Sequence, residues 1–147
     1  MILVSACLCG INTKYNGGNN KNPKLMELLK KESVQLICPE QLGGMKTPRP
    51  QCEIYIGDGK AVLDGKTKVL NIDGQDCTEE FLKGAFETLK IAKELNIEIA
   101  ILKSKSPSCG AGIIYDGSFS SKLVEGNGVT AELLKRNGIR VLTEEEI

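Results

Sequence analysis

A doubly wound, mostly parallel four-stranded α/β sheet carrying β-hairpin insertions is the fold this sequence predicts, and three features predict it. Four short apolar runs, Met1–Ala6, Val34–Ile37, Ile97–Leu102 and Ile139–Leu142, read as strands buried on both faces, as in a parallel sheet covered by its own connections. Helical patterns separate them at Pro23–Lys31, Asp76–Leu95 and Val129–Arg136. Two Gly/Asp turn signals, G-D-G-K at Gly57–Lys60 and D-G at Asp116–Gly117, mark hairpins. At 147 residues the chain has the size of one domain, 1–147, in three Rossmann-like layers.

The elements follow in order. Met1–Ala6 ends in Cys7-Leu8-Cys9-Gly10, where strand gives way to turn. The Asn- and Gly-rich loop Asn12–Pro23 is longer than most connections, and long ordered loops tend to carry function. Pro23–Lys31 has Pro in its first turn and Lys at its end, with Leu25, Leu28 and Leu29 as its buried face. Val34–Ile37 empties into Cys38-Pro39-Glu40. Thr47-Pro48-Arg49-Pro50 cannot be helix or central strand, so it should run extended along the surface and present Arg49. Glu53–Ile56 and Ala61–Leu63 flank the first turn signal as a hairpin, and Lys66–Ile72 adds an edge strand.

Asp76-Cys77-Thr78-Glu79 has the pattern of a capping box with Asp76 as N-cap. The helix it opens runs to about Leu95 with Phe81, Leu82, Ala85, Phe86, Leu89, Ala92 and Leu95 as its apolar stripe, and Asn96 fits its C-terminal cap. Ile97–Leu102 then delivers S-K-S-P-S-C-G at Ser104–Gly110. Ala111–Tyr115 and Ser118–Ser120 form the second hairpin, followed by loop at Lys122–Gly128. Val129–Arg136 is a short helix closed by Asn137-Gly138, and Thr143–Ile147 is an acidic tail after the last strand.

Composition excludes several functions. Histidine is absent, which removes Ser-His-Asp and Cys-His catalysis and any His-ligated zinc. Nineteen basic and nineteen acidic residues cancel, and three Phe, three Tyr and no Trp make no stacking platform, so nucleic acid is not an expected partner. No apolar run approaches the roughly 20 residues of a membrane helix, and the expected setting is cytoplasmic. There six cysteines point to metal binding or catalysis rather than disulfides, although no C-x-x-C pair occurs.

Cys7, Cys38 and Cys109 each leave a predicted strand, at the sheet edge where open α/β folds bind ligands. They should converge on one site. Three thiolates suit a Cys₃ zinc site with an open position, or an iron–sulfur cubane with one open iron. Cys9 is a candidate fourth ligand, while Cys52 and Cys77 read as structural. Glu40 is the nearest acid and the first candidate for proton transfer. Ser106 and Ser108 flank Pro107 beside Cys109 and can donate to a substrate or to cluster sulfide; Ser5 and Arg49 are candidate substrate contacts. Gly110–Gly112 fails as a dinucleotide loop, because a hairpin and not a helix follows it.

The motifs S-A-C-L-C-G (Ser5–Gly10), Y-N-G-G (Tyr15–Gly18), C-P-E-Q-L-G-G (Cys38–Gly44) and T-P-R-P (Thr47–Pro50) form a recognisable series. It continues with L-K-S-K-S-P-S-C-G (Leu102–Gly110), I-Y-D-G-S-F (Ile114–Phe119) and G-N-G-V-T-A (Gly126–Ala131). In that order they resemble the 2-thiouracil desulfidases, small bacterial proteins formerly labelled a domain of unknown function. The resemblance implies a [4Fe-4S] cluster held by Cys7, Cys38 and Cys109, whose fourth iron takes the sulfur of a thiolated pyrimidine for non-redox hydrolysis of the C–S bond. It also implies that Glu40 and Ser108 assist; by the chemistry of such a reaction, Ser108 or Lys103 is expected to steady the developing charge. The implied partner is a small thiolated base or nucleoside; no exposed apolar stripe is evident in the sequence, so a monomer is expected. Cys9 departs from the family pattern, where many members carry Leu. The competing readings are a non-catalytic iron–sulfur or zinc-binding sulfur carrier, with Cys9 closing the ligand set, and a Cys₃ zinc hydrolase.

Overall fold

The computed structural model describes all residues, 1–147. Strands β1 (Ile2–Ser5), β2 (Val34–Ile37), β5 (Ile99–Leu102) and β8 (Arg140–Thr143) form one all-parallel sheet in the order β2-β1-β5-β8. The two central strands are apolar on both faces because both faces are covered. Leu3, Ala100 and Leu102 pack with Phe81, Ala85 and Leu89 of α4 (Thr78–Glu94) and Leu134 of α5 (Val129–Arg136). On the opposite face Val4 and Ile101 pack with Leu8 and with Leu25 and Leu29 of α1 (Pro23–Leu29). The sheet is therefore doubly wound, as the sequence predicts. The strand order reverses between β1 and β5, and ligands of open α/β sheets bind at the carboxyl ends of the strands flanking such a switch. Cys7 and Cys109 follow those two strands.

The short helix α2 (Pro39–Leu42) begins directly at Cys38 and carries Glu40, so whatever fixes α2 also fixes the site. Two glycines fix it. A Cβ at Gly84 of α4 would stand 1.9 Å from the Pro39 carbonyl oxygen, and one at Gly43 would stand 2.0 Å from that of Glu80. The two backbones touch where neither side can hold a side chain. Gly84→Ala must therefore push α2 away, and we expect a loss of roughly 1–3 kcal/mol or more, read as a lower urea midpoint at unchanged slope.

Several local expectations need correction. Ala61–Leu63 is not a strand: Asp58 accepts from the Ala61 N–H at 3.0 Å and caps a one-turn helix, α3 (Gly59–Leu63). The first hairpin pairs β3 (Cys52–Tyr55) with β4 (Lys68–Asn71) around that helix. In the second, β6 (Ile113–Tyr115) pairs with β7 (Leu123–Glu125), which lies in the stretch read as loop. Ser118–Ser120 stays outside the ladder, because Asp116 ties back to the Ser118 N–H and Phe119 adopts a left-handed conformation. At α4 the N-cap is Cys77; the Thr78 hydroxyl is engaged by the Val69 N–H, and no capping box forms.

Leu28 is exposed on α1, as are Phe86 and Leu95 at the edge of the α4 stripe. Gly84 and Thr88 are buried on α4 in addition to the predicted residues. Arg49, expected on the surface, is buried. Thr143–Ile147 is no free tail: Glu144–Glu146 forms a 3₁₀ turn whose acids fold back on the Ser104 loop. No helix is long and apolar enough to cross a membrane.

Candidate functional site

A cavity of about 260 Å³ opens at the carboxyl ends of β1, β2 and β5. Cys7, Cys38 and Cys109 all line it, so the convergence expected from three strand ends is what the topology builds. The three thiols differ in setting. Cys109 is buried; its sulfur accepts from the Ser5 hydroxyl at 3.6 Å, and the Ser108 hydroxyl lies within reach at 3.5 Å. Cys7 and Cys38 are half-buried. The Cys38 thiol points to the Thr13 carbonyl at 3.8 Å, and Arg49 Nη2 lies 4.0 Å from its sulfur.

Burial foremost, with a smaller contribution at Cys7 and Cys109 from the neighbouring cysteines, pushes all three thiols up, Cys109 to about 12. Thiols so placed ionise readily only beside a strong positive charge such as a metal centre. The donor set therefore fits a metal group with soft, thiolate-binding sites. A single zinc ion would draw tetrahedral sulfurs to about 3.8 Å of one another. No three Cys, Asp or Glu side chains close on one point in that way. The thiols instead line the wall of one cavity of about 260 Å³. Cys9 is not on that wall; it packs beside the cluster of Leu8, Leu25 and Leu29.

The acid and hydroxyl groups form one chain of contacts. Glu40 Oε2 accepts from the Ser108 hydroxyl at 3.1 Å, and Oε1 accepts from Arg49 Nε at 3.0 Å. Ser106 and Ser108 hydroxyls stand 3.0 Å apart, and the Ser106 oxygen accepts from the main-chain N–H of Ser108 and Cys109. Ser106 thus shapes the turn that presents Ser108 and Cys109. The Ser5 hydroxyl is buried between partners, accepting from the Lys103 N–H at 3.0 Å while it donates to Cys109. Lys103 lines the cavity, but its ammonium is shared with Glu144 at 3.3 Å and with Ser104.

The structure adds residues that the sequence did not single out. Cys52, read as structural, lines the cavity, and burial raises its thiol strongly. Thr13 and Asn20 bring the long Asn-rich loop onto the cavity wall, with the Asn20 N–H donating to the Cys7 carbonyl at 2.9 Å. The loop's origin at Cys7 was the available signal. Nothing in the pattern around Cys52 pointed inward, since its position depends on how β3 leaves the buried Arg49.

Three comparisons show what the chain is similar to. The family model of 2-thiouracil desulfurase matches residues 2–146. The uncharacterized protein YbbK of Bacillus subtilis (strain 168) is 48% identical over 147 residues, which is 100% of this chain and 97% of that protein. The solved structure of the [4Fe-4S]-dependent thiouracil desulfidase TudS superposes with a TM-score of 0.86 at 37% identity, covering 99% of this chain and 91% of that one.

Proposed function

Because the chain belongs to the 2-thiouracil desulfurase family, we propose that it is an enzyme that hydrolyses the C–S bond of a thiolated pyrimidine, a free base or a nucleoside. The observation that carries this reading is the meeting of three thiols and the Glu40–Ser108 pair in one cavity. Cys7, Cys38 and Cys109 would hold a [4Fe-4S] cluster. When bound, it supplies an open iron, a soft Lewis acid suited to a thiocarbonyl sulfur. The balance is simple: the C–S bond breaks, a C–O bond to water forms, and sulfur leaves as sulfide with no change of oxidation state.

The protein groups divide the remaining work. Glu40 Oε1 is tied to the buried Arg49 cation, whereas Oε2 accepts only from the neutral Ser108 hydroxyl and keeps a lone pair with which it would take the proton from the attacking water. Ser108 holds Oε2 in place and can turn its O–H toward charge developing on the substrate. Lys103 adds a cation at the cavity wall, steadied by Glu144. The cavity wall without Cys9 speaks against a carrier site in which Cys9 closes the ligand set.

The test is anaerobic reconstitution followed by iron and sulfide counts and a 2-thiouracil assay with detection of uracil and sulfide. About four iron per chain with turnover is the expected result. A full cluster without turnover of any thiolated base would favour a carrier. Uptake of zinc, or of no metal, would end the iron–sulfur reading.

A further inference from the structure

Arg49 has no donor left for a substrate. Its side chain is 4% exposed, and every guanidinium nitrogen has a partner inside the protein. Nε donates to Glu40 Oε1 at 3.0 Å, and Nη1 to the Thr47 hydroxyl at 2.8 Å and the Lys46 carbonyl at 3.4 Å. Nη2 donates to the Thr13 carbonyl at 2.9 Å and stands 4.0 Å from the Cys38 sulfur. The main-chain N–H of Arg49 also donates to the Tyr15 carbonyl at 2.8 Å. One planar fork thus joins α2, the strand end at Cys38, the Thr47 segment and the Asn-rich loop. A lysine could serve only part of that set from a single point.

The loop needs such an anchor. Its far end is held where Asn20 and Asn22 N–H groups donate to the carbonyls of Cys7 and Leu8, both at 2.9 Å. Between the anchors the Lys14–Gly18 turn is closed by its own local hydrogen bonds. Thr13, Lys14 and Tyr15, at the Arg49 end, line the cavity together with Asn20.

We infer that Arg49 is a positioning residue that fixes the Glu40 carboxylate beside Ser108 and fastens the Asn12–Asn22 loop to the cavity wall, and that it does not touch the substrate. The part concerning Glu40 rests on the proposed reaction; the loop part does not. Turning the guanidinium toward a substrate would leave a carboxylate and a carbonyl without their donor in a largely buried place. Its place is therefore with the protein.

The experiment compares reconstituted wild type, Arg49→Lys and the milder Thr47→Val, which removes one Arg49 partner together with the acceptor of the Gln41 amide, with Gln41→Ala as the control for the latter. For Arg49→Lys we expect unchanged iron content, kcat lowered about 10- to 100-fold and KM within about twofold, the pattern of a misplaced catalytic group. In a Glu40→Gln background the same substitution should add little, because both act through one carboxylate. Limited trypsin digestion should cut after Lys14 and Lys21 faster than in wild type, while cleavage after Lys90 in α4 stays slow. Thr47→Val should move both readouts the same way by less, and it decides the matter if Arg49→Lys digests everywhere through general unfolding.

A raised KM at unchanged kcat would overturn the inference in favour of a substrate contact. Additive losses in the double variant would remove the link to Glu40. Unchanged digestion at Lys14 and Lys21 would remove the link to the loop. If wild type with a full cluster turns over no thiolated base, the Glu40 part falls with the proposed reaction, and trypsin alone decides the loop part.

Discussion

Replacing Cys109 by serine is expected to leave a folded chain that holds less than about one iron where wild type holds about four. Of the three candidate ligand thiols, Cys109 is the most enclosed and the only one with two serine hydroxyls within hydrogen-bond reach of its sulfur. A serine oxygen there would accept from Ser5 and Ser108 much as the sulfur does, so packing should survive. It would not serve as a soft ligand, since an alkoxide is harder and forms far less readily than a thiolate. Iron and sulfide counts after anaerobic reconstitution, beside a thermal melt, separate lost binding from lost folding. Cys7→Ser and Cys38→Ser should act in the same direction. Cys9→Ser should keep its iron, because that side chain packs beside α1 and not on the cavity wall. Iron lost from Cys9→Ser but kept by Cys109→Ser would reverse the ligand assignment.

The sheet was legible because a strand buried on both faces leaves a continuous apolar run, and four such runs alternated with helical periods. Legibility of the site followed from the sheet: parallel strands end at one edge, so cysteines just after three of them had to approach one another. What the sequence hid depends on contacts between distant backbones. Gly43 and Gly84 look like an ordinary loop residue and a weak point in a helix; only their mutual contact shows that they seat α2. Asp58-Gly59-Lys60 serves equally as a hairpin turn or a helix start, and the Ala61–Leu63 run is too short for periodicity to decide. Arg49 read as exposed because two flanking prolines signal an irregular surface segment. A carboxylate nine residues away in the chain and a loop from β1 were needed to bury it, and neither partner is local. The acidic end of the chain misled for the same reason. Glu144 finds Ser104 and Lys103 only because β5 and β8 are neighbours in the sheet.

The largest loss of turnover with the cluster intact should come from Glu40→Gln. Removing a positioned general base costs on the order of 10²- to 10⁴-fold in rate, and kcat should fall by that much while iron content stays at the wild-type level. Glutamine has nearly the same shape and keeps an amide oxygen that can accept from Arg49 Nε, so α2 need not move. What it lacks is the second anionic oxygen that now accepts from Ser108. The substitution also leaves the largely buried Arg49 cation without a counter-charge. Some loss of stability should accompany the loss of rate, and a urea titration of the same preparation measures it. Ser108→Ala provides the comparison. If Glu40 is the base and Ser108 its support, the alanine variant should lose far less, about tenfold, because the carboxylate remains held by Arg49. A Glu40→Gln enzyme with full turnover would require another proton acceptor. An Ser108→Ala loss equal to that of Glu40→Gln would shift the essential contact from the carboxylate to the hydroxyl.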